Sequence, residues 1–168
     1  MDEENRKTVF SDFSLSEVAT EVANTFAPVA AAQNKKFTFE TAPNLSLCGD
    51  VAMIKELFSL ILDNAVKFTP YGGEVRIKIE EREDSVCVSV INTGSTVAPE
   101  NRERIFRKFF QEDRSHSTKG NGIGLAVVRQ IVNLHGGSVW VESEQDCTTF
   151  KVLLPKTADE RTGTLKNS

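Results

Sequence analysis

DVAMIKELFSLILDNAVKFTPYGGEVRIKIEEREDSVCVSVINTG, residues 50–94, contains one helix and one hairpin in a single run. Ile54, Leu57, Phe58, Ile61, Leu62 and Ala65 follow the i, i+3, i+4, i+7 rule without exception, which predicts an amphipathic helix with Asp50 as its N-cap. PYGG at 70–73 ends it. Val75, Ile77 and Ile79, then Val86, Val88 and Val90, alternate with polar neighbours. The charged tip from Arg82 to Asp84 joins them, so two paired strands are predicted.

Upstream, Ser14 followed by Glu17 reads as a capping box, and Leu15, Val18, Ala19, Val22 and Phe26 recur at helical spacing. Pro28 predicts a kink or a break before residues 29–32. Phe37 and Phe39 alternate as in a strand, Leu45 to Leu47 suggests a second short one, and residues 1–13 read as a polar remnant with an edge strand near Val9 to Phe13. Downstream, residues 93–121 lack a sustained period apart from a short helical piece near Pro99 to Phe106, and QEDRSHSTKGNG predicts a mobile loop over about 107–121. Leu125, Val128, Ile131, Val132 and His135 resume the helical period until Gly136 and Gly137 stop it. Val139 and Val141, then Phe150, Val152 and Leu154, supply two last strands, and residues 156–168 read as a disordered tail. Mixed strands and helices in this order predict a two-layer α+β domain over 14–155, with its helices on one face of the sheet.

At 168 residues, with 39% hydrophobic and 26% charged residues, the chain has the balance of one soluble globular domain. A net charge of -4 argues against a nucleic-acid surface, which needs clustered Lys and Arg. Cys48, Cys87 and Cys147 form no C-x-x-C pair, so neither a disulfide framework nor a zinc site is indicated and a reducing compartment fits. The opening residues have no signal pattern, and no apolar run approaches the roughly 20 residues of a membrane helix. The fragment is thus expected to be cytoplasmic, without membrane contact of its own.

On the helix from Asp50, Asn64 lies about 90 degrees from the centre of the apolar stripe and Lys67 is further round on the same side. An amide oxygen suits a hard cation and an ammonium suits phosphate oxygens; a merely exposed polar edge is the plain alternative. GNGIGL at 120–125 opens into a helix, where backbone N–H groups can face an anion, although glycine loops are as often structural. NTGSTVAPE at 92–100 follows a strand, and its polar strand end could read a base edge or simply terminate the strand. Phe106, Phe109 and Phe110 of IFRKFF could anchor a lid or belong to the core.

The order of these segments carries more than any of them: DNAVKFTPYGG, NTGSTVAPENRERIFRKFF, KGNGIGLAVVRQIVNLHGG and TTFKVLLP. The series resembles the N, G1, F and G2 boxes of sensor histidine kinases in the GHKL ATPase superfamily, over about residues 14–155. That resemblance implies the Bergerat fold, a mixed sheet of about five strands with three main helices on one face and a flexible ATP lid. It also implies ATP and Mg2+ as cofactors. Asn64 would ligate magnesium, and Asn64 and Lys67 would serve catalysis, Lys67 at the phosphates. Phe68 would flank the nucleotide. Asn92 would address the adenine amino group in a pocket shared with Gly94, Val97, Leu125 and Thr149. Lys119, Gly120, Gly122, Ile123 and Gly124 would close over the triphosphate, with Arg114 and His116 as γ-phosphate contacts.

The chain departs from the family pattern at Asn92, where an aspartate is usual, at Thr96 and Cys147, where glycines are usual, and at Leu60, where asparagine stands. An asparagine amide both accepts and donates, so it can take the adenine amino group and could also donate to guanine O6. Losing charge assistance costs on the order of 1 kcal/mol, which weakens binding without abolishing it. Leu60 occupies the place of the water-activating glutamate of related ATP hydrolases, implying slow hydrolysis. The phosphoacceptor is expected outside the chain, since His116 and His135 match no histidine-containing dimerisation motif. The implied partners are that dimerisation domain in the full-length kinase, membrane-anchored upstream, and a response regulator. The alternatives are a degenerate nucleotide-binding adaptor, suggested by Asn92, Thr96 and Cys147, and another GHKL ATPase or anti-sigma kinase.

Overall fold

A computed structural model of the chain describes residues 8–108, 110 and 124–157. Its elements run β1 (Ser11–Ser14), α1 (Leu15–Ala32), β2 (Lys36–Thr41), β3 (Ser46–Gly49), α2 (Val51–Phe68), β4 (Glu74–Glu81), β5 (Ser85–Thr93), α3 (Gly124–Leu134), β6 (Ser138–Glu144) and β7 (Cys147–Pro155). Short 3-10 turns at Pro99–Asn101 and Arg104–Phe106 lie between β5 and α3.

Side-chain caps start both long helices. Ser14 Oγ accepts from the Glu17 N–H at 3.2 Å, and Asp50 Oδ1 accepts from the Met53 N–H at 3.1 Å, each satisfying a donor that the first helical turn leaves unpaired. Pro28 does not break α1, which runs on to Ala32. The carbonyl deprived of its donor belongs to Asn24, and both residues lie on the exposed side, where water can replace the lost bond.

The sheet has the order β2-β4-β5-β7-β6, with β2 parallel to β4 and the other pairs antiparallel. Val75, Ile77 and Ile79 of β4, Val86, Val88 and Val90 of β5, Phe150, Val152 and Leu154 of β7, and Val139 and Val141 of β6 are all buried in one cluster with the helices. Helix α1 packs on β2, α2 on β5 and α3 on β6, so three helices cover one face. This is the two-layer α+β sandwich, a Bergerat-type mixed sheet of five strands, that the sequence predicts.

The edges hold two differences. The N-terminal strand begins at Ser11, not near Val9, and pairs with β3 in a separate ribbon. Lys156, expected to begin the tail, is held in place: its carbonyl accepts from the Cys48 N–H at 2.9 Å, its N–H donates to Asp84 O at 3.0 Å, and its Nζ reaches the Glu81 carboxylate at 2.8 Å. Lys156 therefore belongs to the folded domain.

Candidate functional site

The C-terminal half of α2 is clamped from beneath. Lys35, only 9% exposed, donates from Nζ to the Val66 carbonyl at 2.6 Å, and Thr69 Oγ1 donates to the Ala65 carbonyl at 2.7 Å. A cation at a helix C-terminus meets the negative end of the dipole, so Lys35 satisfies a late carbonyl and steadies the turn at once. On the outer side of that turn Asn64 is half-buried and takes no hydrogen bond from a described residue. Lys67 is exposed and pairs with Asp63 at 3.0 Å, and Phe68 is 40% exposed. An amide, an ammonium and an aromatic ring thus share a rigid, accessible edge.

Strand β5 ends in a buried polar group. Val75, Asn92 and Thr148 stand side by side on β4, β5 and β7, and Ser143 of β6 stands beside Thr148, so the apolar rows of the helix-facing side turn polar at one level. Asn92 is 2% exposed. Its Nδ2 donates to Ser95 Oγ at 2.7 Å, Ser95 Oγ donates to Thr148 Oγ1 at 3.4 Å, and Thr148 Oγ1 donates to the Ser95 carbonyl at 2.8 Å. Asn92 Oδ1 receives no hydrogen bond from a described residue, yet it is not sealed away. Among the described residues only Arg102 Nε is a buried, unpartnered side-chain polar atom. The oxygen keeps its acceptor capacity and a small accessible surface.

Two glycines bring the remaining segments to this place. Gly94 has φ +80° and its N–H donates to Asp146 O at 2.8 Å, while a Cβ there would collide with the Pro70 ring just past α2. At the other end, a Cβ on Gly124 would sit 3.6 Å from Leu60, so α3 begins against α2 one turn before Asn64. Val97 and Leu125 pack against the core from either side, and the Val97 N–H donates to Ser143 Oγ at 2.8 Å. Gly94 is thereby brought against Pro70, just past the C-terminal end of α2, and Gly124 against Leu60, so the end of β5 and the start of α3 both approach the half of the helix that carries Asn64 and Lys67.

Not every expected residue is there. Thr149 follows Thr148 on β7 and pairs with Ile91, so its side chain lies on the opposite face of the sheet from Asn92. Thr148, not Thr149, shares a sheet face with Asn92. Lys119, Gly120, Gly122 and Ile123, with Arg114, His116 and Phe109, lie outside the described residues. Phe106 is core: it meets Phe150 edge-on with centroids 6.3 Å apart, and Arg129 sits over its ring at 4.7 Å. Ser95, Thr148 and Ser143 were not anticipated, although extending the alternation of β6 and β7 by one step marks the last two.

Residues 49–158 match the family described as Histidine kinase-, DNA gyrase B-, and HSP90-like ATPase. The chain is 38% identical over 111 residues to the sensor histidine kinase CusS of Escherichia coli K12, covering 65% of this chain and 23% of CusS. Among solved structures it resembles the catalytic domain of histidine kinase ThkA, with TM-score 0.83, 32% identity, and coverage of 90% of this chain and 99% of that one. It also resembles ThkA in complex with the response regulator protein TrrA, with TM-score 0.81, 30% identity, and coverage of 94% of this chain and 46% of that one. The chain spans about a third or less of the length of the curated relatives it matches.

Proposed function

This chain belongs to the histidine kinase-, DNA gyrase B- and HSP90-like ATPase family, and we propose that it is the ATP-binding catalytic part of a sensor histidine kinase. Its reaction moves the γ-phosphoryl group of ATP to a histidine on a dimerisation domain, and a response regulator takes the group next. The observation that carries this reading is the buried Asn92 at the sheet end together with the half-buried Asn64 and exposed Lys67 on one edge of α2.

The donor set fits the ligand. Asn92 Oδ1 accepts from the adenine amino group, Val97 and Leu125 wall the base, Gly94 lets the loop approach α2, and Phe68 flanks the nucleotide. Lys67, exchanging Asp63 for the triphosphate, neutralises phosphate charge. Asn64 supplies a neutral oxygen suited to Mg2+, whose chemistry is to draw charge from the phosphate oxygens. Phosphoryl transfer depends chiefly on positioning and charge stabilisation. Leu60, partly buried against the core beside Gly124, offers no group to activate water. Binding without rapid hydrolysis keeps the phosphoryl group for the histidine.

The test supplies γ-labelled ATP, Mg2+ and a separately prepared histidine-containing dimerisation domain. Labelled phosphohistidine is expected with the wild type and only a trace with Asn64→Ala. No label with a wild type that binds ATP would remove the kinase reading and leave a nucleotide-binding adaptor.

A further inference from the structure

Asparagine has two unlike ends, so its use at a base edge depends on which end points up. Thr148 spends its only hydroxyl hydrogen on the Ser95 carbonyl, which can only accept. In the longer, 3.4 Å contact between the two hydroxyls Ser95 is then the donor, leaving Ser95 Oγ an acceptor toward Asn92. Nδ2 meets that acceptor at 2.7 Å, which leaves Oδ1 as the end of the amide not bonded to Ser95. The direction of the chain is thus set at its far end by a main-chain carbonyl.

We infer that Ser95 and Thr148 are positioning residues that hold the Asn92 amide in one orientation, nitrogen beneath and oxygen toward the base, so that this pocket selects adenine over guanine. The inference rests on the ATP-site reading. Adenine presents an amino donor that Oδ1 accepts; guanine presents O6, an acceptor, which an oxygen repels and leaves unpaired. Were the amide free to turn, Nδ2 could donate to O6 and the distinction would fade. Asn92 alone therefore does not explain selectivity. Its hydrogen-bonded support does.

The experiment is calorimetric titration of the 168-residue chain with Mg·ADP and Mg·GDP, in wild type, Ser95→Ala, Asn92→Asp and the double variant. A wild-type preference for ADP is expected, narrowed roughly fivefold or more in Ser95→Ala, the size of one net neutral hydrogen bond. Both carboxylate oxygens only accept, so in the Asn92→Asp background the same Ser95→Ala change should leave the preference unmoved. An equal effect in both backgrounds, or none in either, overturns the inference. A companion measurement needs no nucleotide. The Asn92 side-chain amide protons should exchange slowly in the wild type and quickly in Ser95→Ala, and fast exchange in the wild type also overturns it. A wild type that binds neither nucleotide defeats the ATP-site reading, and this one with it, whereas binding with unaltered selectivity defeats this one alone.

Discussion

Replacing Gly94 with alanine should cost about 2–5 kcal/mol of stability, from two sources that can be measured apart. At φ +80° an L-residue with a Cβ sits in the left-handed region, at roughly 1–2 kcal/mol. The added methyl also meets Cγ and Cδ of Pro70, which a closed ring cannot swing aside, and overpacking of this kind costs about 1–3 kcal/mol. For a domain of this size the sum lowers Tm by about 4–20 °C. Pro70→Ala separates the two, because the remaining Cβ of residue 70 would stand 3.9 Å from the new methyl, an ordinary contact. In that background Gly94→Ala should cost only the backbone share, giving a coupling of about 1–3 kcal/mol. Urea unfolding of the four proteins, with a constant m, yields the cycle. A Gly94→Ala cost below about 0.5 kcal/mol, or one equal in both backgrounds, would refute the packing of the strand end against the helix end.

Other substitutions probe the supports of the site. His135 is fully buried, donates from Nδ1 to Ile131 O at 2.8 Å and accepts the Asp50 N–H at Nε2 at 3.0 Å. His135→Leu should therefore cost about 1–3 kcal/mol in urea unfolding, and an unchanged midpoint would contradict that tautomer and its role. Lys35→Met keeps the apolar stem but loses the charge-assisted bond to Val66 O. About 1.5–3 kcal/mol should go, with amide exchange rising first at residues 65–68, and uniform exchange along α2 would count against a local clamp. Gln145 and Asp146 take φ +49° and +63° in the tight turn between β6 and β7. Asp146→Gly should stabilise by about 0.5–1 kcal/mol, read as a rise in Tm, because glycine takes that conformation without strain while the carbonyl that accepts from Gly94 is kept. A fall would mean that the Asp146 side chain holds the turn.

The helices and the hairpin were legible because α2, α3, β4 and β5 write their burial directly as period: every apolar position from Ile54 to Ala65 is buried or faces the core, and so are Val75 to Ile79 and Val86 to Val90. Where composition and period diverge the sequence was less informative. Pro28 is a local breaker, but its cost is small where solvent replaces the bond, so α1 continues. Lys156 looks like tail by composition and is held by backbone bonds that no side-chain pattern announces. For the candidate site, motif order is what points to Asn64, Lys67, Asn92 and Gly94. Thr148 and Thr149 look alike in the sequence until strand parity is counted from Phe150, which puts Thr148 on the face of Asn92. Ser95 was invisible for a different reason: its partner is three residues back but across a turn, a relation that only geometry supplies.

That last relation bears on why an asparagine can stand where the motif resemblance leads one to expect an aspartate. Position 92 is 2% exposed and ends an apolar row, and a carboxylate brought there must shed its hydration, an effective cost of several kcal/mol unless charge or hydrogen bonds return it. An amide has no charge to desolvate, but it needs an acceptor for its nitrogen and it must be kept from turning over, two requirements a carboxylate does not have. Ser95 Oγ answers the first, and the Thr148 hydroxyl, committed to the Ser95 carbonyl, answers the second. The residue at 92 is therefore intelligible only together with those at 95 and 148. Asn92→Asp in this chain exchanges a desolvation cost for a charge-assisted bond to adenine, so its net effect on ADP affinity should be smaller than either part, while the effect of Ser95 on selectivity disappears.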